Sequence, residues 1–372
     1  MTWPAVRLPI CRPHPASKGI ALTHPPTHTA LASLGWDAFY SNEFEPYAES
    51  AVPGRVVRVD RGAVDVLTAD NPLRVTTDNH GEPLAVGDWV ALTATDDRRW
   101  TVEAVLARKG AIRRAVVTGE SQSQVVAANV DVVLVAVPAI PEPRIGMVER
   151  MVALAWDSGA TPVVVLTKAD LIDDPETIAA DLAASAPGVD VVAVSATTEG
   201  GLAALDPYVS TGRTLCLLGR SGAGKSTLVN ALLGADYMAT HEIRADGKGR
   251  HTTTHRELVV LPTGGCLVDT PGLKGVGLWL GEDGLDRAFA DIEQLARSCR
   301  FSDCRHESEP GCAILDAIGA GQLPERRLDS WRKLQREAIW MAARTDARLR
   351  AEQSRKWRVI SQEMRRSGRA RP

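Results

Sequence analysis

At 372 residues the chain is longer than one ordinary core and points to two or three domains. Hydrophobic residues make up 44% and charged residues 24%, as in a soluble globular protein, and no run approaches the roughly 18 apolar residues of a membrane span, so no membrane role is expected. The net charge of −3 excludes a uniformly basic or acidic chain, but it conceals an asymmetry at the C-terminal end.

Residues 1–30 are rich in Pro and His and lack the apolar core of a secretory signal. A disordered extension and a cytoplasmic location are expected. From Pro53 short alternating runs follow, RVVRVD (55–60), AVDVL (63–67), DWVAL (88–92) and WTVEAVL (100–106), separated by turn residues. They predict an N-terminal all-β, OB-type barrel with a lead-in, over 31–112. Such barrels often bind nucleic acid, although a purely structural barrel would show the same pattern.

After Asn129 apolar runs alternate with helical stretches. The strand-like runs span 130–138, 161–167, 189–195, 213–219, 257–262 and 265–269. Continuous apolar strands separated by helices predict a mainly parallel sheet covered on both faces, assigned to a central α/β domain over 113–284. In such sheets ligands bind at the carboxyl ends of the strands.

Gly219-Arg220-Ser221-Gly222-Ala223-Gly224-Lys225-Ser226 matches the phosphate-loop pattern G-x-x-x-x-G-K-[ST] in full, between a predicted strand and a predicted helix. The glycines would let the backbone N–H groups of Ser221 to Gly224 approach phosphates closely. Lys225 should reach the β- and γ-phosphates, and the Ser226 hydroxyl, with Thr227 beside it, stands where Mg²⁺ and nucleotide are held. This loop does not select a base.

Thr167-Lys168-Ala169-Asp170 follows the run TPVVVL and is similar to the N-K-x-D motif of GTPases. There a carboxylate accepts hydrogen bonds from guanine N1–H and its exocyclic amino group, a donor pair that adenine lacks. Lys168 would cover the base, and Ser195-Ala196 would present a backbone N–H to guanine O6. Alone, this tetrapeptide also suits an ordinary surface loop; its place before the Ser-Ala pair and the phosphate loop favours a guanine pocket. Thr167 is shorter than the usual Asn and should lose some contacts tying this loop to the phosphate loop.

Asp269-Thr-Pro-Gly272 matches D-x-x-G, where Asp269 would hold Mg²⁺ through water and the Gly272 N–H would meet the γ-phosphate. Leu273 follows, not the water-orienting Gln of Ras-like proteins, so another residue must act on water. Gly249-Arg-His-Thr-Thr-Thr-His255 offers His251 for that role and one of Thr252, Thr253 and Thr254 for Mg²⁺, with Thr253 taken as nucleotide-binding. A phosphate or RNA contact is the alternative for His251. The guanine motif precedes the phosphate loop, so a GTP-hydrolysing domain here is circularly permuted.

The remaining residues, 285–372, predict a mainly helical module: helix up to Cys299, a cysteine cluster, then helix from about 312 to 365. Cys299, Cys304, His306 and Cys312 supply three thiolates and an imidazole, enough for one closed structural Zn²⁺ site, as against merely buried or redox cysteines. From Trp331 to Pro372 there are 13 Lys/Arg against 4 Asp/Glu, a net of +9 that suits a polyanion or a solvated helix face.

Barrel, permuted motif order, Gly249-Arg-His-Thr-Thr-Thr and the C-x4-C-x-H-x5-C cluster together resemble the bacterial RsgA (YjeQ) family of small-ribosomal-subunit biogenesis GTPases. Leu34-Gly-Trp36, Val86-Gly-Asp-Trp89, Phe301-Ser-Asp-Cys-Arg-His306 and the tail with Lys356-Trp357 and Ile360 extend the likeness over roughly 31–366. The resemblance implies GTP hydrolysis stimulated by the small ribosomal subunit late in its assembly, with barrel and zinc module contacting rRNA. It also implies Zn²⁺ on Cys299, Cys304, His306 and Cys312, a catalytic His251, Mg²⁺ with GTP, and GTP/GDP and the subunit as partners. A monomer is expected.

Overall fold

The computed structural model describes residues 31–77, 83–95, 99–115, 123–234, 256–269 and 280–345. The first residues form a short turn, Leu31–Leu34, and helix α1, Ala38–Phe44, whose first turn is capped by the Asp37 carboxylate accepting from the N–H groups of Phe39 and Tyr40. Five strands follow: β1 Val52–Asp60, β2 Ala63–Thr68, β3 Pro72–Thr76, β4 Trp89–Ala94 and β5 Trp100–Val105. Their order is β1-β2-β3-β5-β4, with β4 pairing back onto β1, so the barrel closes as predicted. Val56, Val64, Val66, Val75, Val90 and Leu92 fill it. Strand β3 has no counterpart in the sequence reading, because only Val75 of its five residues is buried.

Alternate residues leave the barrel wall on its other side. Val57, Trp89 and Ala91 join the large core that continues through the rest of the molecule. Trp36 stacks edge-on against Trp89 at 4.8 Å, so the Leu34-Gly-Trp36 and Val86-Gly-Asp-Trp89 segments meet. Arg55 is buried here, its guanidinium donating to the carbonyls of Leu34 and, at 3.1 Å, of Asn129, while lying over Trp89. The barrel passes to the next layer through the hairpin β6 Ala111–Ala115 and β7 Ser123–Ala128, which the sequence pattern did not announce. Gly87 packs there so closely that a Cβ would sit 2.2 Å from the Ala128 carbonyl oxygen.

The central sheet consists of β8 Val132–Pro138, β9 Thr161–Thr167, β10 Asp190–Ala193, β11 Thr214–Gly219, β12 Glu257–Val260 and β13 Cys266–Asp269, in the order β10-β9-β8-β11-β13-β12. All pairings are parallel except β12 with β13, and the predicted runs lie on these strands. The period of two sorts the side chains: Val133, Val135, Val164, Leu166, Cys216 and Leu218 face one core, Val132, Leu134, Val163, Val165, Leu215 and Leu217 the other. Helix α2, Ile145–Asp157, and helix α3, Pro175–Ser185, pack on the first face; α4, Lys225–Leu233, on the second. At Arg58↔Glu257, β1 of the barrel pairs with β12, joining barrel and central sheet.

The C-terminal part contains α5 Glu282–Ala288, α6 Ala290–Ala296, α7 Ala313–Gly319 and α8 Glu325–Thr345; the predicted helix beyond 345 lies outside the described residues. These helices share the large core with α2. Gly284 of α5 meets α2 where a Cβ would lie 2.4 Å from the Ala153 carbonyl oxygen, and the Asp157 carboxylate caps α5 by accepting from Gly281 and Gly284 N–H.

A single buried guanidinium completes the joint. Arg327 of α8, 2% exposed in its side chain, donates to Glu149 of α2 (3.1 Å), Asp291 of α6 (2.6 and 2.8 Å), the Ser185 carbonyl ending α3 (2.7 Å) and the Ala288 carbonyl ending α5 (2.9 Å). Burial raises the Glu149 carboxyl above its ordinary value, and a hydrogen bond from Ser330, then Arg327 and Arg326, oppose that rise. Removing one partner of such a set strands the others without water. Arg327→Met is expected to destabilise the protein by about 3–5 kcal/mol, read as a lower denaturant midpoint; a midpoint equal to wild type contradicts this.

Candidate nucleotide site and metal centre

Because β9, β10, β11 and β13 all run parallel to or through neighbours of β8, their carboxyl ends lie along one edge of the sheet. That edge carries Thr167–Asp170 after β9, Ser195-Ala196 after β10, Gly219–Ser226 after β11 and Asp269 ending β13. Residues 167–170, 195–196, 219–227 and 269 are therefore brought together. His251, Thr253 and Gly272 lie outside the described residues.

The phosphate-type loop begins where β11 passes Ala136 of β8 so closely that a Cβ on Gly219 would lie 2.7 Å from the Ala136 carbonyl oxygen. Gly222 and Gly224 take left-handed φ values of 81° and 78°, which turn the chain into α4. Lys225 opens that helix, and its ammonium donates to the carbonyls of Gly219 and Arg220 at 2.8 Å each, so its charge is held over the mouth of the loop. The helix N-terminus and this charge make the mouth attractive to phosphate.

Two loops flank the expected base position. Lys168 is left-handed (φ 59°) and starts a short turn, Ala169–Leu171, whose Ala169 N–H donates to the Val194 carbonyl at 3.2 Å. Thr197 donates its hydroxyl to the Asp170 carboxylate at 3.5 Å and approaches the Ser195 hydroxyl at 3.2 Å. Thr197 was not among the predicted residues; only its closeness to Ser195-Ala196 in the chain hinted at it.

Thr167 is buried, and its hydroxyl donates to the carbonyl of Ala223 in the phosphate-type loop at 2.9 Å, with the Val137 carbonyl at 3.4 Å. The shorter side chain thus keeps one direct bond between these loops. Gly224 lies against this hydroxyl, and its left-handed φ of 78° is what calls for glycine there.

Asp269 lies at the foot of this site. Burial lifts its carboxyl to about 6, Glu257 across the β12–β13 pair adds to the rise, and Lys225 opposes it. Ser226 and Asp269 offer the hydroxyl and carboxylate that a Mg²⁺–nucleotide complex uses.

The second centre lies between α6 and α8. Cys299, Cys304, His306 and Cys312 place one ligand atom each within 4.8 Å of all the others. Cys299 and Cys312 sulfurs are 3.9 Å apart, and His306 Nδ1 lies 3.6 and 3.4 Å from them. A tetrahedral zinc ion with ordinary bond lengths would set about 3.8 Å between sulfurs and about 3.6 Å between sulfur and nitrogen. The donor set and spacing fit such an ion.

Comparison with known proteins agrees with this architecture. The family model described as RsgA GTPase matches residues 105–279. A Streptomyces coelicolor protein named small ribosomal subunit biogenesis GTPase RsgA is 54% identical over 335 residues, covering 87% of this chain and 91% of that protein. A Listeria innocua protein named small ribosomal subunit biogenesis GTPase RsgA 1 is 37% identical, covering 92% and 99%. The crystal structure of YjeQ from Thermotoga maritima matches with a TM-score of 0.58 at 27% identity, covering 78% of this chain and 99% of that one. That of YloQ, described as a circularly permuted GTPase, gives 0.56 at 25% identity, over 77% and 95%.

Replacing Thr167 by Val keeps the shape and deletes the hydroxyl. A neutral hydrogen bond contributes about 1 kcal/mol, so Thr167→Val is expected to weaken GTP and GDP binding alike by about fivefold. Titration with fluorescent guanine nucleotides measures it, and unchanged affinity for both would contradict the tie.

Proposed function

The chain belongs to the RsgA family of GTPases, and from that membership we propose that it acts late in assembly of the small ribosomal subunit, binding rRNA through barrel and zinc module, with hydrolysis stimulated by the subunit. One observation carries the nucleotide half of this reading: the Thr167–Asp170 loop, the Ser195–Thr197 loop and the phosphate loop are bonded to one another at a single sheet edge. The names of the relatives and the net charge of +9 from Trp331 onward support the ribosomal half.

In this reading Asp170 accepts from guanine N1–H and its amino group, Lys168 covers the base, and the backbone at Ser195-Ala196 meets O6. The loop from Gly219 to Gly224 cradles the phosphates, while Lys225 meets the β- and γ-phosphates and offsets the charge that grows as the β–γ bond breaks. Thr227 adds a contact beside Ser226. Ser226, one of Thr252, Thr253 and Thr254 and, through water, Asp269 would hold Mg²⁺, which would supply positive charge against the phosphates. Gly272 donates its N–H to the γ-phosphate. With Leu273 unable to orient water, His251 does so. Cys299, Cys304, His306 and Cys312 would hold Zn²⁺ through three thiolates and an imidazole, and the ion's role would be structural. The reading places the protein in the cytoplasm.

Hydrolysis measured with and without purified small subunits, at two salt concentrations, tests the proposal. A large stimulation that falls at the higher salt is expected, since contacts to phosphate release counterions. His251→Ala is expected to lower the stimulated rate at least about a hundredfold with GTP affinity retained. Absence of stimulation with GTP still bound refutes the ribosomal reading; an unchanged stimulated rate in His251→Ala refutes the role of His251.

A further inference from the structure

The loop that carries His306 is organised around a carboxylate. Glu309 accepts from the Arg305 N–H at 3.0 Å through one oxygen, and from the N–H groups of Glu307 (2.9 Å) and Ser308 (3.1 Å) through the other. These donors lie on both sides of His306 in the chain. His306 itself has a φ of 59°, a left-handed conformation that costs an L residue about 1–2 kcal/mol and that His takes up more readily than most side chains do, so the bonds around it have only a small cost to offset. A left-handed residue turns the neighbouring N–H groups toward a common centre, and such a concavity favours a negative charge.

We propose that Glu309 is the positioning residue of the metal centre: its carboxylate gathers the N–H groups flanking His306, imposes the left-handed turn and so aims the imidazole between Cys299 and Cys312. The inference rests on the reading that this cluster binds a metal. A second restraint comes from α8, where Arg332 donates to the His306 carbonyl, so that the residue is fixed from the loop and from the helix. His306 Nδ1 then faces the two sulfurs at 3.6 and 3.4 Å. Glu309 makes no approach to the metal position itself among these bonds. It acts through the loop, as residues behind metal ligands commonly do, and their loss costs about 10–100-fold in metal affinity.

The test uses the full chain loaded with Zn²⁺ and challenged with a chromophoric chelator, together with the absorption spectrum of the Co²⁺-loaded protein. Wild type should carry one Zn²⁺ and release it slowly. Glu309→Ala and Glu309→Gln should each release it at least about tenfold faster and lose the spectrum of three-sulfur, one-imidazole coordination, while GTP affinity stays at the wild-type value. Glu309→Gln is isosteric and keeps the test valid should Glu309→Ala fold poorly, because its amide offers one acceptor where the loop needs two. Release rates and cobalt spectra equal to wild type in both variants overturn the positioning role. A wild-type protein that holds no Zn²⁺ overturns the metal reading, and the proposal with it.

Discussion

The nucleotide site depends on holding two loops, far apart in the chain, at a fixed separation, and the Thr167 hydroxyl on the Ala223 carbonyl does this directly. The bond is possible because β8 lies between β9 and β11, with all three parallel, so the loops leave the sheet side by side. Neighbourhood in the sheet, and not order in the chain, brings the candidate loops together. A permuted order of motifs therefore still places these loops at one edge of the sheet. What permutation changes is the route out: the chain leaves β13 toward α5 and the helices that flank the cysteine cluster, and Asp157 of α2 caps α5 on arrival.

Two buried arginines join the surrounding parts to this sheet. Arg55 reaches from β1 to the lead-in and to Asn129, and Arg327 gathers α2, α3, α5 and α6 around α8. A guanidinium suits the task because its donors point in several directions in one plane, so one side chain satisfies several carbonyls and carboxylates that would otherwise be buried unpaired. Hydrophobic area alone would pack these elements together without fixing their registry; directional bonds to a few atoms fix it.

Much of this was legible in the sequence. The apolar strands of the central sheet announced themselves because burial on both faces removes polar residues from β8, β9 and β11. The phosphate loop and the cysteine cluster were legible because their chemistry demands particular residues at fixed spacing. Strand β3 and the hairpin β6–β7 were not, since Pro72–Thr76 buries one side chain and Ala111–Ala115 includes Arg113 and Arg114. Arg55 and Arg327 read as surface charge, as most arginines are, and only the fold reveals that carbonyls converge on them. Glu309 likewise looks like one more acid in a polar loop until the N–H groups around His306 are seen to face it.

In the proposed function these loops form one guanine-selective pocket, and competition for bound nucleotide reads that selectivity. Labelled GTP on the full chain should be displaced by GTP and GDP but not by equal concentrations of ATP, because adenine lacks the donor pair for Asp170. Displacement by ATP as effective as that by GTP would rule out base reading by Asp170 and leave a phosphate-binding loop without a base-reading partner.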